Sequence, residues 1–110
     1  MKIVLQNVFA DKVEFEVNTD NIRFARYNII SGDEVLKVYY LDGSSQIFDS
    51  DKHGRHLHYD DCEVMLYSVD ELKLINKLPI LKDEKYRTIT DDRCNQLEEL
   101  LKKHREGGAK

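Results

Sequence analysis

The sequence predicts an α+β fold, built as an antiparallel sheet or a partly closed small barrel of about six strands followed by two C-terminal helices. Three observations lead to this prediction. Apolar residues alternate with a period of two through the first half of the chain, which is typical of half-buried strands. They recur at helical spacing through the second half. The strand segments are joined by short polar turns, which suit antiparallel neighbours and leave no room for parallel crossovers.

The first two strands are predicted from β-rich composition and alternation. Residues 3–5 form a short apolar run, and residues 12–17 place Val13, Phe15 and Val17 on one face. Residues 22–30 form the third strand, after the polar turn at residues 18–21. On this strand one face is expected to carry Ile22 and Phe24, and the other Arg23, Ala25, Tyr27 and Ile29.

The remaining strands follow at regular spacing. Residues 35–41 are apolar on both faces except at Lys37, so they are predicted to form a central strand that is covered on both sides. The Asp42-Gly43 pair indicates a hairpin turn into a strand at residues 46–48. After a polar segment, residues 62–67 form the last predicted strand.

Helical spacing begins after residue 67. Ser68 and Glu71 fit a capping box, in which the hydroxyl accepts from the backbone of Glu71 and the carboxylate reaches back. Pro79 is expected to end this helix near residue 77 or 78. Thr90 is the predicted N-cap of the last helix, whose apolar stripe consists of Cys94, Leu97, Leu100 and Leu101. Two glycines are expected to end it, so residues 1–106 are predicted to form one domain and residues 107–110 a flexible tail.

Charge and composition restrict the functional classes. A charged fraction of 35% with a net charge of −4 favours a soluble domain and argues against nucleic acid and anionic membranes as partners. The N-terminal apolar run is interrupted by Gln6 and Asn7, so we expect that it is not a signal peptide, and no segment of the sequence has the length of a membrane span. Cys62 and Cys94 resemble small core residues and leave room for one disulfide. We therefore expect a cytoplasmic address.

The histidine-rich segment 53–62 is a candidate metal site. If residues 56–62 are extended, His56, His58, Asp60 and Cys62 lie on one face, where imidazole, carboxylate and thiolate could share Zn²⁺ or another divalent ion. The simpler interpretation is a polar loop and an edge strand in which Cys62 begins the core face. Without a second ligand pair elsewhere, the sequence favours no cofactor, and a metal-binding module or metal-dependent enzyme is the alternative function.

An acidic segment is the preferred candidate for binding a partner. Residues 42–63 contain six acidic and two basic side chains, including Asp49, Asp51, Asp60 and Asp61. Such a segment could dock on a basic protein surface, although a solvated loop has the same composition. With no recognisable nucleophile or phosphate-binding motif, the chain is expected to be a non-enzymatic domain that binds and regulates or inhibits a protein partner.

Two further interactions are weighed. A nucleic-acid interface on the sheet would use Arg23, Arg26, Tyr27, Lys37, Tyr39 and Tyr40, because aromatic rings between basic residues can stack on unpaired bases. Tyr39 and Tyr40 are expected on opposite faces, which weakens that interpretation. A homodimer could form through the last helix or by pairing two strand edges.

Overall fold

We describe residues 1–30, 32–51, 62–77 and 86–108 of a computed structural model of the chain. The predicted order of strands before helices is confirmed. The elements are β1 (Lys2–Gln6), β2 (Lys12–Glu16), β3 (Ile22–Ile30), β4 (Asp33–Tyr40), β5 (Ser45–Asp49), β6 (Cys62–Leu66), α1 (Val69–Lys77) and α2 (Tyr86–Gly108).

The six strands form two separate antiparallel sheets. Among the described strands, β1 pairs with β2 alone, while the other four form a sheet in the order β5-β4-β3-β6. The antiparallel sheet is therefore confirmed, whereas the alternative of a partly closed barrel is wrong. β4 is a central strand, as its apolar composition predicted.

Side chains explain why β1 does not continue the larger sheet. Two amides of β1 donate to side chains of other elements: the Val4 amide to Asn76 Oδ1 at 2.8 Å, and the Gln6 amide to Glu34 Oε1 at 2.7 Å. These backbone donors are thereby satisfied without a neighbouring strand. The hairpin of β1 and β2 consequently packs as a second layer instead of closing a barrel.

A bulge in β3 changes which side chains share a face. Ile22 pairs with Tyr40 but Phe24 pairs with Tyr39, so Arg23 is one residue extra on this strand. Ile22 packs against the core, whereas Phe24 lies on Tyr39's side of the sheet, opposite the buried Ala25. The prediction that Ile22 and Phe24 share a face is therefore wrong, because an extra residue inverts the alternation.

The two faces of the four-stranded sheet differ in whether described elements pack on them. We call the covered side the inner face; it packs against the hairpin and both helices, and one of its contacts is Phe15 of β2 against Phe48 at 5.5 Å between ring centroids. The core residues of the sheet and helices are Ala25, Tyr27, Ile29, Leu36, Val38, Tyr40, Phe48, Cys62, Val64, Leu66, Leu72, Ile75, Leu97 and Leu101. The other side, the outer face, is not covered by any described element.

Local signals placed most of the turns and caps correctly. Gly43 has φ +90°, and Asp42 Oδ1 accepts from the Ser44 amide at 2.8 Å, which completes the predicted turn between β4 and β5. The Glu71 amide donates to Ser68 Oγ at 3.2 Å, but the Glu71 carboxylate accepts from the Tyr67 amide instead of Ser68. The capping box is thus present in a shifted form.

The last helix is longer than its sequence signals predicted. α2 begins at Tyr86, four residues before the predicted cap at Thr90, and it continues through Gly107 to Gly108. Differences in helix propensity among ordinary residues are below about 1 kcal/mol, so a threonine can lie inside a helix that tertiary contacts stabilise. The predicted stripe is confirmed at Leu97 and Leu101, which are buried.

Candidate functional site on the outer sheet face

Most of the residues predicted from the histidine-rich and acidic segments lie outside the described residues. This holds for His56, His58, Asp60 and Asp61, so the metal site and the acidic partner-binding set both stay predictions. Within the described ranges, no group of three or more His, Cys, Asp or Glu side chains is arranged to hold a metal ion. Neither described helix has the length and apolar character that a membrane crossing requires.

Asp49 and Asp51 have local structural contacts. Asp49 ends β5, and its Oδ1 accepts from the Asp51 amide at 2.8 Å. Both side chains are half-buried. An aspartate that accepts from the backbone two residues later stabilises the exit from a strand, so Asp49 contributes to the local fold whether or not it also binds a partner.

Cys62 is joined to Cys94 by a disulfide. The two Cα atoms are 5.7 Å apart, and the bond links β6 to α2. Thiolates, and not disulfide sulfurs, act as nucleophiles and metal ligands. Cys62 can therefore complete the predicted metal set only after the disulfide is reduced.

The sheet divides the predicted nucleic-acid residues between its two faces. Tyr27 and Tyr40 are buried on the inner face, with exposed fractions of 1% and 9%. Arg26, Lys37 and Tyr39 lie together on the outer face. Four of the six predicted residues are therefore adjacent, because the bulge also leaves Arg23 exposed beside them.

These four residues form a cluster around an aromatic pair. Phe24 and Tyr39 are stacked with ring centroids 4.6 Å apart and an interplanar angle of 26°. Arg23 Cζ lies 4.7 Å from the Phe24 centroid, and Lys37 Nζ lies 5.0 Å from the Tyr39 centroid. Both distances are within cation–π range. We refer to Arg23, Phe24, Arg26, Lys37 and Tyr39 as the cation–aromatic cluster.

The electrostatic environment of the cluster is positive. Hydrogen bonds from Arg26, and secondly from Lys37, lower the pKa of the Tyr39 phenol because both cations stabilise the phenolate. Arg26 also forms an ion pair with Glu63 on β6, and this hydrogen-bonded carboxylate raises the pKa of Arg26. Glu63 is thus the acidic side chain that moderates the cluster.

A groove of about 340 Å³ adjoins the cluster on the outer face. Its apolar lining consists of Ile30, Val35 and Ile47, and its polar lining of Arg26, Asn28, Lys37 and Glu63. Ile47 is 61% exposed. An apolar floor between charged side chains suits recognition of a side chain with similar mixed character.

A second polar cluster is buried between the sheet and α2. Glu34 accepts from Arg93 at 3.0 Å, from the Tyr27 hydroxyl and from the Gln6 amide. Burial, and secondly the Glu34 charge, raise the pKa of Tyr27. A neighbouring cavity, lined by Tyr27, Glu34 and Asn76 among others, measures only about 10 Å³, or one water molecule at most. The cluster therefore stabilises the fold and has no room for a substrate.

Sequence reasoning missed several of these residues. Phe24 could have been assigned to the outer face from the alternation of Ala25 and Tyr27, had the bulge been recognised. The pairing of Glu34 with Arg93 spans 59 residues and leaves no local pattern. The exposure of Ile47 depends on the position of β5 at the edge of the sheet.

The fold and this surface define the chain as a two-layer α+β domain in which no described element covers the outer sheet face. Comparison with known proteins assigns it to no family, because no family model, curated protein or solved structure matched the chain.

Proposed function

We propose that the chain is a non-enzymatic interaction domain that binds a protein partner through the outer sheet face and thereby regulates or inhibits it. One observation carries the proposal: on the outer sheet face, which no described element covers, the cation–aromatic cluster adjoins a partly apolar groove of about 340 Å³. Aromatic residues and arginine are enriched at the energetically important centres of protein interfaces.

Two features favour protein over nucleic acid as the partner. The stacked rings of Phe24 and Tyr39 already contact each other and the cations Arg23 and Lys37, so a base could stack only by displacing one of them. The net charge of −4 also opposes a polyanion in general. The groove formed by Ile30, Val35 and Ile47 instead fits an apolar side chain.

The acidic segment is the alternative contact region for the same function. Asp49 is half-buried at the edge of the outer face, directly opposite Val35 in the register of β4 and β5. A basic partner surface would contact this edge instead of the groove. Each region predicts that a different set of substitutions weakens partner binding, so one experiment can distinguish between the two contact regions.

The experiment compares substitutions at two similarly exposed apolar residues. Ile47 lies in the groove and is 61% exposed, whereas Leu41 lies in the turn after β4 and is 66% exposed. Tagged wild-type protein, Ile47→Asp and Leu41→Asp would be used to capture partners from the cells that produce the protein, with quantitative mass spectrometry as readout. We expect Ile47→Asp to reduce recovery of the principal partner about tenfold, equivalent to about 1.4 kcal/mol, and Leu41→Asp to leave it unchanged.

Circular dichroism and thermal unfolding of each variant confirm that the fold is retained. The double variant Asp49→Asn with Asp51→Asn serves as the comparison for the acidic segment. If this variant loses the partner while Ile47→Asp keeps it, the proposed surface is wrong and the acidic segment is the contact region. Equal recovery with all variants would contradict both surfaces.

A further inference from the structure

The strand edges of the described sheets differ in how they are protected. The outer edge of β2 carries Lys12, Glu14 and Glu16, and charged side chains discourage the addition of another strand. The β1 edge is occupied by the side-chain contacts of Asn76 and Glu34. On β6, Arg105 donates to the Met65 carbonyl at 2.8 Å and so occupies a backbone acceptor.

Over residues 45–47, the edge of β5 has none of these protections. Its residues Ser45, Gln46 and Ile47 are all exposed and uncharged, and no described strand pairs with its outer side. Asp49 is the charged residue of β5 and lies at its end, so residues 45–47 are the part of this edge that can act as a template for a further strand. β5 also borders the groove, because Ile47 lies directly opposite Lys37 in the register of the sheet.

We propose that β5 and the cation–aromatic cluster together take an acidic, extended segment of the partner protein, which adds to the sheet as a strand. This inference rests on the proposed function and specifies its partner. Strand addition supplies backbone hydrogen bonds, while alternate side chains of the added strand face the groove. Those side chains provide specificity. They contact Ile47 on the adjacent strand β5, and the longer ones reach across β5 toward the cations of β4 and β3.

Charge complementarity selects an acidic segment. Among the described residues, neither Lys37 nor Arg23 forms an ion pair with an acidic side chain, whereas Arg26 is paired with Glu63. Adjacent strands are about 4.8 Å apart, so a glutamate on the added strand and the long side chain of Lys37 can meet across β5. Apolar residues of the same segment would occupy the groove beside Ile47.

The test uses a defined probe, a short peptide of alternating glutamate and valine, titrated into ¹⁵N-labelled protein. We expect chemical shift changes concentrated in the amides of β5 and around Lys37, and an affinity that decreases as NaCl is raised from about 0.05 to 0.5 M. A peptide with lysine in place of glutamate should bind at least tenfold more weakly. A glutamate–valine peptide with every amide N-methylated should also lose tenfold or more, because neither of its edges can then donate backbone hydrogen bonds.

Matched protein variants localise the charge effect. Lys37→Gln should weaken binding of the acidic peptide several-fold, whereas Lys12→Gln on β2 should leave it unchanged. Glu63→Gln should strengthen binding, because Arg26 is released from its ion pair.

Each contrary outcome overturns a defined part of the inference. Equal binding of the N-methylated peptide excludes strand addition, and equal binding of the lysine peptide excludes charge selection. Tighter binding of oligothymidine at the same amides would indicate a nucleic-acid partner, and shifts that depend only on protein concentration would indicate a second copy of the chain. Absence of peptide binding overturns this inference alone if Ile47→Asp still abolishes capture of the natural partner. If the peptide does not bind and Ile47→Asp still captures the natural partner, the proposed function is wrong as well.

Discussion

At the scale of single residues, Glu34 makes the most consequential polar contacts of the core. It is 5% exposed, and its carboxylate accepts from a phenol, a guanidinium and a backbone amide that belong to three different elements. Burying a charge is costly unless it is paired and hydrogen-bonded, and these donors meet that requirement. One side chain thereby connects β1, β3 and α2 to the start of β4.

Replacing Glu34 should destabilise the protein strongly. In Glu34→Ala the Arg93 guanidinium, which is 4% exposed, loses its carboxylate, and removing one partner of a buried pair costs about 3–5 kcal/mol. The free energy of unfolding in urea measures this loss. Glu63→Gln is the matched control, because the more exposed Arg26–Glu63 pair should contribute only about 0–1 kcal/mol. A loss below about 1 kcal/mol for Glu34→Ala would contradict the assigned role.

At the scale of elements, Glu71 joins α1 to α2 and to the end of β6. Arg105 Nε donates to Glu71 Oε2 at 2.6 Å, and a second Arg105 nitrogen donates to Oε1 at 3.2 Å. The Tyr67 amide also donates to Oε1, at 2.7 Å. A bidentate guanidinium contact fixes the relative position of the two helices more tightly than a single hydrogen bond.

The stability of this junction should depend on pH. Burial acts to raise the pKa of Glu71, but the hydrogen bonds from Arg105 and the Tyr67 amide outweigh it, so the pKa is lower than the ordinary value of 4.5. Below pH 4.5 the unfolded state then binds more protons, so the stabilisation is lost as the pH falls through the folded-state pKa. Glu71→Gln should be less stable than wild type at pH 7, and the difference should shrink below pH 4.5. A difference that is constant from pH 7 to 3 in urea unfolding would contradict this.

At the scale of the whole molecule, the Cys62–Cys94 disulfide connects the sheet to the helical layer across 32 residues. Closing a loop of this length reduces the entropy of the unfolded chain, which is worth about 3–4 kcal/mol in the chain-entropy description. The bond bears on the expected cytoplasmic address, because a reducing compartment would keep these two residues as thiols.

Reduction should therefore lower stability without changing the fold. We expect the double variant Cys62→Ala with Cys94→Ala to unfold at lower urea concentration, with a free energy of unfolding reduced by about 3–4 kcal/mol. A reductant such as dithiothreitol should reproduce most of this loss in wild type and cause none in the variant. Equal stability of oxidised and reduced wild type would show that the bond does not contribute.

The elements that sequence reasoning predicted correctly are those with local signals. The alternation of Val13 and Phe15, the Asp42-Gly43 turn and the cap at Ser68 are each decided by residues within one or two turns of chain. Side-chain period, allowed φ values and capping hydrogen bonds act at that range. The candidate surface could be predicted only in part from local sequence patterns. Sequence reasoning identified Arg26, Lys37 and Tyr39 as candidate binding residues but did not identify Phe24 or Ile47.

The sequence by itself determined the α+β class, the antiparallel pairing and the positions of most strands, since these follow from periodicity and short connections. Only the tertiary structure decided that the hairpin forms its own layer, that Arg23 lies at a bulge, and that Glu34 meets Arg93. These features depend on contacts between residues distant in the chain, whose formation must offset the entropy of closing long loops. Local pattern carries no information on that balance, so the cation–aromatic cluster and the adjoining groove became apparent only in the assembled sheet.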